Sequence, residues 1–350
     1  MTSFALLRQL AFAAGLAALS AVVVRLMIAA RVMDTPDARK AHDRPIPKGG
    51  GVGIVVAFLV GVAVLYAFAR FSRIAEPYFL GVIGAAVLIA GVALLDDIRD
   101  WPFTVKLGAQ VLAALAAVGS GIYVRDYRVP YLGGFYVGWM GAPATLVWIL
   151  FVTNAMNFID GLNGLAAGVA LIAAAFLAGI AAWQGSWFAY FAALLLAAGL
   201  IGFLPFNFPR ARIFMGDVGS QFCGFMLAML GVVAARFDGV ELSLLLVPML
   251  LSGVLWDVAF TLARRALAGE RLTVPHRGHL YQVAQRAGVP AVAVALVHWG
   301  FAAWGGVCCL LFIAAPPGWK PYVPLLVLPP QIVWLWFVRA RARVAGVGRW

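Results

Sequence analysis

Apolar residues fill the chain in long runs, and polar residues are confined to the short stretches between them. Eleven runs are candidates for membrane helices. They cover residues 9–30, 50–69, 78–95, 104–122, 137–153, 162–182, 187–206, 218–235, 240–262, 290–314 and 321–338. A helix needs roughly 20 apolar residues to cross a bilayer. The pattern therefore predicts an all-α polytopic membrane protein with 10 or 11 transmembrane helices, built as one domain over residues 1–350.

Composition agrees with this interpretation. Hydrophobic residues make up 64% of the chain and charged residues only 11%, whereas soluble domains contain about 45–50% apolar and about 25% charged residues. The first apolar run is long and ends in a basic segment, which indicates a first membrane helix rather than a cleaved signal peptide. Little of the chain is left for a separate soluble domain.

The basic residues predict the orientation. Of the 26 Lys and Arg residues, 18 lie in alternate loops and the C-terminal tail, and 7 lie on the opposite side. These loops are 31–49, 96–106, 154–164, 207–220 and 263–289. Cytoplasmic loops are rich in Lys and Arg. We therefore expect a bacterial inner-membrane protein with a periplasmic N-terminus and a cytoplasmic C-terminus. The same rule explains the net charge of +12 without nucleic acid as a partner.

Acidic residues gather on the same side. Ten of the 14 Asp and Glu residues, Asp257 among them, fall on or near the predicted cytoplasmic side. Carboxylates at bilayer depth are costly and are usually functional. Their convergence predicts a charged, water-filled cavity at the cytoplasmic ends of the helices.

Two polar motifs end predicted helices. Asp96 and Asp97 end the third run, and Asp100 would share a face with Asp96 if the helix continued. Repelling carboxylates on one face favour a cation such as Mg²⁺; a solvated helix end is the alternative. Farther along the chain, a helix would place Asn154, Asn157 and Asp160 on one stripe, for which helix capping is the alternative.

Three further segments carry candidate chemistry. Asp217 stands where the eighth run begins, and this position suits either an N-cap or a metal–phosphate complex. The loop before the second run contains Lys48 followed by three glycines, which allow close backbone approach; a simple helix-entry turn is equally consistent. Residues 275–282 include His276, Arg277 and His279. This cluster suits a phosphate group better than zinc, which would need further ligands; a plain surface loop is the other alternative.

In this order, the five segments resemble the polyprenyl-phosphate N-acetylhexosamine-1-phosphate transferases, glycosyltransferase family 4. The resemblance spans about residues 31–285. The His-Arg-x-His-x-Tyr-Gln form of the last motif is most similar to the O-antigen initiating branch. It differs from the His-x-His-His pattern of the phospho-N-acetylmuramoyl-pentapeptide translocase, which stays the alternative within the family. Asn163 stands where many members have Asp.

The resemblance implies transfer of a sugar 1-phosphate from a UDP-N-acetylhexosamine to undecaprenyl phosphate, with release of UMP, at a site facing the cytoplasm. It implies Mg²⁺ or Mn²⁺ as cofactor and leaves a homodimer open. Asp96, Asp97 and Asp217 are the expected catalytic residues, with Asp217 and Asn157 as metal ligands. The expected substrate-binding residues are Lys48, Lys106, Asn154, Asp160, His276, Arg277 and His279.

The acceptor phosphate has a second pKa of about 6 and is largely dianionic at neutral pH. A general base has little to contribute, and direct in-line attack is expected, with double displacement as the alternative. A transporter of an anionic metabolite is the rival of another class. Transporters place charged sites near the bilayer midplane and contain repeats, neither of which the sequence shows.

Overall fold

The computed structural model describes residues 3–34, 45–68, 76–129, 133–235, 242–272, 274 and 276–348. Within these residues the α-helices are α1 Ser3–Ala30, α2 Gly51–Phe68, α3 Glu76–Arg99, α4 Phe103–Gly119, α5 Gly141–Phe158, α6 Leu165–Gln184, α7 Trp187–Asn207, α8 Gly216–Ala234, α9 Leu246–Leu250, α10 Ser252–Leu267, α11 Leu280–Arg286, α12 Ala291–Ala314 and α13 Leu328–Val344. Residues 35–44 of the predicted loop 31–49, and residues 273 and 275 of the loop 263–289, lie outside the described residues.

Two short antiparallel hairpins are the only strands of the described residues. β1 (Met33–Asp34) pairs with β2 (Ile46–Pro47), and β3 (Asp126–Val129) pairs with β4 (Gly133–Tyr136). The first hairpin joins α1 to α2, and the second joins α4 to α5. Neither builds a sheet core, so the prediction of an all-α polytopic membrane protein is confirmed.

Nine helices of the described chain are long and apolar enough to span a membrane. The predicted fourth run corresponds to α4, which has only 17 residues. The predicted ninth run is divided between α9 and α10, because the helix is interrupted at Leu251. The number of 10 or 11 spans and their orientation stay predictions.

Helix α8 is the centre of the bundle and packs against α2, α3, α5, α6 and α7. Nearly all of its residues are buried. Small residues permit this packing, as is typical of membrane helices. A Cβ atom added to Gly51 would lie 2.2 Å from the Cα of Gly219, so the start of α2 lies directly against the backbone of α8.

Backbone hydrogen bonds fix the loop before α2 to the segment before α8. Gly50 N–H donates to the Phe214 carbonyl at 2.9 Å, and Gly51 N–H donates to the Met215 carbonyl at 2.8 Å. Lys48 N–H donates to the Val32 carbonyl at 2.8 Å. The glycine-rich motif and the Asp217 motif are therefore neighbours, although more than 160 residues separate them.

Candidate active site

A cavity of about 310 Å³ lies where the ends of α3 and α5 meet the first turns of α4 and α8 and the α11 region. Its lining is dominated by charged side chains. The carboxylates are Asp34, Asp96, Asp97, Asp100, Asp160 and Asp217, and the cations are Lys48, Lys106 and Arg277. Asn157 also lines it. The structure thus brings eight of the eleven predicted site residues into one cavity; Asn154, His276 and His279 lie outside this lining.

Lys106 is at the centre of the charged lining. Its Nζ lies 2.5 Å from Asp96 Oδ2 and 2.9 Å from Asp217 Oδ2. These carboxylates come from α3 and α8, whereas Lys106 belongs to the first turns of α4. A partly buried ammonium between two carboxylates lowers the cost of holding all three charges together. We call Asp96, Asp97, Lys106 and Asp217 the floor of the cavity.

Both oxygens of Asp217 are held by neighbours. Asn157 Nδ2 donates to Oδ1 at 3.0 Å, and Gln221 Nε2 donates to Oδ2 at 3.1 Å, beside Lys106. Asn157 Nδ2 also lies 3.0 Å from the Ser220 hydroxyl. The predicted pair of Asn157 and Asp217 is therefore in direct contact and is aligned by α5 and α8.

A chain of amides continues from the floor into the helix bundle. Gln110 Nε2 donates to Gln221 Oε1 at 3.0 Å, and Asn154 Nδ2 donates to Gln110 Oε1 at 2.6 Å. Neither glutamine was predicted from the sequence to belong to the site. Each lies four residues after a predicted site residue, Lys106 or Asp217. This spacing places them on the same helix faces and could have identified them.

Asn154 lines a second cavity of about 370 Å³ beside the first. The two cavities share Asp100, Lys106 and Asn157. Trp101 and Phe103, at the start of α4, also line the second cavity. Its lining combines polar side chains with aromatic rings, so the cavity is amphipathic.

Asp97 caps helix α8. Its Oδ1 accepts the backbone N–H of Asp217 at 3.1 Å, and its Oδ2 accepts that of Val218 at 3.1 Å. The first N–H groups of a helix lack partners within the helix, and a carboxylate there is favourable. Gly216 has φ +74°, and a Cβ at this position would lie 2.5 Å from Asp97 Oδ2. Only glycine allows this close approach.

Asp100 leaves the helix face that its spacing suggested. Helix α3 ends at Arg99, and Asp100 adopts φ +49°. Its Oδ1 accepts a hydrogen bond from Lys48 Nζ at 3.0 Å, although the Asp100 side chain is 87% exposed. This pair closes the cavity on the side of the β1–β2 hairpin.

Asp160 lies between α5 and α6, beside Gly161. No side chain or N–H of the described residues donates a hydrogen bond to its carboxylate. Burial, followed by the charges of Asp217 and Asp97, raises its pKa well above the usual 3.8. An unpartnered carboxylate among like charges is a position where a cation is strongly favoured.

Away from the floor, the cavity is lined by Arg277, Gln282 and Gln285, which we call the outer wall. His276 and His279 stack behind it, with ring centroids 4.9 Å apart. Burial and the nearby His279 lower the pKa of His276 to about 4, so its imidazole is neutral near pH 7. His279 is only 5% exposed, and its Nδ1 lies 3.1 Å from Asp257.

Two comparisons with known proteins identify the family of this chain. The family described as "Glycosyl transferase family 4" matches residues 79–235, which contain the whole floor and the Asn157 motif. A Bacillus subtilis protein is 33% identical over 74% of this chain and 71% of its own length. Its name is "Probable undecaprenyl-phosphate N-acetylglucosaminyl 1-phosphate transferase".

Other relatives show the breadth of the group. The Mycobacterium tuberculosis decaprenyl-phosphate N-acetylglucosaminephosphotransferase is 30% identical over 79% of this chain and 75% of its own length. A phospho-N-acetylmuramoyl-pentapeptide-transferase of Heliobacterium modesticaldum is 36% identical, over 55% of this chain and 63% of its own length. The chain is therefore a transferase of glycosyl transferase family 4, the membrane-embedded polyprenyl-phosphate hexosamine-1-phosphate transferases.

Proposed function

We propose that this enzyme transfers an N-acetylhexosamine 1-phosphate from a UDP-sugar to undecaprenyl phosphate on the cytoplasmic face of the inner membrane, releasing UMP. The product would begin a lipid-linked glycan such as O-antigen. One observation carries the proposal: Lys106 joins Asp96 and Asp217 at the floor of a cavity that also holds the unpartnered Asp160. This combination suits a reaction between two phosphate-bearing substrates in the presence of a cation.

The main barrier to this reaction is the approach of two anions. The lipid phosphate is largely ionised near neutral pH, so no base is needed to activate it. Lys106 and Lys48, with Arg277 on the outer wall, supply the positive charge that offsets the repulsion. Charges placed where negative charge develops lower the barrier strongly. We infer direct attack of a lipid phosphate oxygen on the β-phosphorus of the UDP-sugar.

The residues present fit Mg²⁺. Among the described residues, no three His, Cys, Asp or Glu side chains lie close enough to hold a metal by themselves. Mg²⁺ is usually bound by one or two carboxylates together with substrate phosphates and water. Asp217 and Asp160, with the Asn157 amide oxygen, would supply such ligands. The cation would neutralise the donor pyrophosphate and the leaving UMP.

The contacts of the paired aspartates favour different roles. Asp96 Oδ1 accepts the Trp101 N–H at 2.8 Å, and its other oxygen faces Lys106. Asp96 would orient Lys106 toward the acceptor phosphate. Both Asp97 oxygens accept α8 amides, so Asp97 would position Asp217.

The second cavity suits the acceptor. Its aromatic residues Trp101 and Phe103 would contact the first isoprene units, and Asn154 and Lys106 would face the phosphate. The UDP-sugar would then enter along the outer wall, where Arg277 lies in front of His276 and His279. The two substrates meet at Lys106, which both cavities share.

The test is UMP release by the purified full-length protein in detergent. The assay contains undecaprenyl phosphate, MgCl₂ and one donor at a time: UDP-linked GlcNAc, GalNAc, FucNAc, QuiNAc or N-acetylmuramoyl-pentapeptide. Release that requires both lipid and Mg²⁺ supports the proposal and names the sugar. Release with the pentapeptide donor alone would assign the chain to the translocase branch, to which the Heliobacterium relative belongs. Absence of UMP from folded protein, with donor crossing sealed vesicles, would favour a transporter.

A further inference from the structure

Asp257 is a buried carboxylate for which the proposed reaction has no role. It belongs to α10, is 1% exposed and does not line either cavity. Its Oδ1 accepts the Leu280 N–H at 2.9 Å and faces His279 Nδ1 at 3.1 Å, and its Oδ2 accepts the Tyr281 N–H at 3.0 Å. A buried carboxylate is tolerated only when it is paired and hydrogen-bonded. Apart from Thr261 on its own helix, these partners all belong to the start of α11.

Helix α11 depends on such outside contacts. It has seven residues, and helices this short are not stable alone in water. Its first N–H groups have no acceptor within the helix. Asp257 supplies that acceptor from another helix, so the position of α11 in the protein is tied to α10.

The outer wall is part of the same segment. Gln282 and Gln285 belong to α11, and Arg277 precedes His279 with only Gly278 between them. A shift at the start of α11 therefore moves all three side chains of the outer wall. The position of the outer wall therefore depends on Asp257 and its contacts at the start of α11, which do not line the cavity.

A second contact anchors α11 on its other side. Tyr281 Oη donates to the Phe158 carbonyl at 2.9 Å, at the end of α5 and two residues before Asp160. The His279 ring packs 5.8 Å from the Phe158 ring. The His279 imidazole is therefore enclosed by Phe158, His276 and Tyr281, with its Nδ1 directed to Asp257.

We propose that Asp257 is a positioning residue for the outer wall. Through His279 and the first N–H groups of α11, it holds Arg277 and the two glutamines at the distance that the donor pyrophosphate requires. This inference rests on the proposed function, because the outer wall is assigned there to the UDP-sugar. It extends that function to a residue that contacts no substrate.

The variant Asp257→Asn tests the proposal with little change of shape. One carboxylate oxygen becomes an NH₂ group, which cannot accept a hydrogen bond from a backbone N–H. Whichever way the amide is turned, one of the two N–H groups, that of Leu280 or that of Tyr281, loses its acceptor. Hydrogen–deuterium exchange of residues 279–286 is expected to become faster, with α8 unchanged. The KM for the UDP-sugar is expected to rise roughly tenfold, because small misplacements of binding groups are costly. The KM for the lipid and kcat are expected to change less than about threefold.

Two further measurements separate positioning from general destabilisation. Thr261→Val removes only the 3.3 Å hydrogen bond to Asp257 and is expected to leave exchange and both KM values unchanged. If Asp257 acts through the outer wall, the effects of Asp257→Asn and Arg277→Ala on the donor KM are less than additive. Full additivity, or unchanged exchange at residues 279–286, would overturn the proposal.

His279→Phe tests the contact from the other side and serves if Asp257→Asn does not fold. It keeps the stacked ring and removes the Nδ1 contact with Asp257. The same local exchange and the same rise of donor KM are expected, and an unchanged donor KM would contradict the proposal. If the wild-type protein releases no UMP with any donor, the proposed function fails and this inference fails with it. Unchanged exchange in an active enzyme removes the inference alone.

Discussion

Helices α8 and α11 both border the cavity, and in each the first N–H groups donate to an aspartate of another helix. The two aspartates differ in whether they also line the cavity. Asp97 of α3 caps α8, which has 19 residues and is buried along its length, and Asp97 itself lines the cavity. Asp257 of α10 caps the seven-residue α11 and does not line the cavity. In the floor, the residue that holds a helix in place also lines the cavity. In the outer wall, the residue that holds the helix lies outside the cavity, so the helix position and the cavity lining can be altered by separate mutations.

The largest effect is expected from the floor. Asp217→Asn removes the charge that pairs with Lys106 and the proposed metal ligand, so UMP release is expected to fall by about 10²–10³-fold or more. The measurement is kcat at saturating lipid and donor. Asp126→Asn, an exposed carboxylate in β3, is the matched control and is expected to retain activity. Substantial activity in folded Asp217→Asn would contradict the role of the floor.

Gly216→Ala tests the cap of α8 without touching a charge. The added Cβ would clash with Asp97 Oδ2, and the φ of +74° is unfavourable for alanine by about 1–2 kcal/mol. A displacement of Asp217 by about 1 Å is enough to reduce the rate strongly, so kcat is expected to fall by up to about 10²-fold.

The control for this variant is Gly269→Ala. Gly269 has φ +69° with open space around its Cβ position, so it reproduces the backbone strain without the clash. If both variants lose activity equally, the strain rather than the cap is responsible, and the comparison between the two helices breaks down.

A smaller effect is expected from the second anchor of the outer wall. In Gly161→Ala the Cβ would lie 2.3 Å from Tyr281 Oη, which must then leave the Phe158 carbonyl. The donor KM is expected to rise about tenfold with kcat nearly unchanged. Gly179→Ala, in the interior of α6 with open space around its Cβ, is the control. A fall in kcat rather than a rise in KM would place Gly161 with the floor.

The smallest effect is a pH dependence of metal affinity. The pKa of Asp160 is raised, so a metal that binds this carboxyl must displace a proton from it, and Mg²⁺ affinity is expected to increase as pH rises toward that raised pKa. The slope is expected to vanish in Asp160→Asn. The pKa of His276 is lowered to about 4, so this imidazole is already neutral near pH 7, and His276→Gln is expected to keep the slope.

The same shift has a defined sign for stability. The folded pKa of Asp160 is above its usual 3.8, so its contribution to the free energy of unfolding is present below that value and is lost as pH rises through the raised pKa. Thermal unfolding of Asp160→Asn without Mg²⁺ is expected to depend less on pH than that of the wild type. An identical dependence would mean that Asp160 is not the group that titrates.

The sequence predicted the membrane fold and the meeting of the motifs for a simple physical reason. Spanning helices return polar ends to the same side of the bilayer, so Asp97, Asn157 and Asp217 had few places to lie. It did not predict that Asp100, with φ +49°, would leave the α3 face and contact Lys48, which lies 52 residues earlier in the chain. Nor did it predict the burial of His279, which follows from tertiary packing against Phe158.

Asp257 shows what the sequence could have indicated. A single acidic residue in an otherwise apolar run is costly and is by default a functional candidate. Its charge suggested a place in the cavity. Its actual partners are backbone N–H groups more than 20 residues later in the chain, and only the packing of α10 against α11 reveals them.

The double ion pair of Lys106 has a consequence for how ligands influence one another. In the structure Asp96 and Asp217 share this ammonium. If a bound phosphate forms an ion pair with Lys106, Asp217 loses its cationic partner. The uncompensated negative charge of Asp217 then raises the affinity of the floor for a cation. By thermodynamic linkage the cation must raise the affinity for the phosphate by the same factor. If Lys106 is the phosphate ligand that we propose, the two binding events are cooperative because this one side chain exchanges partners.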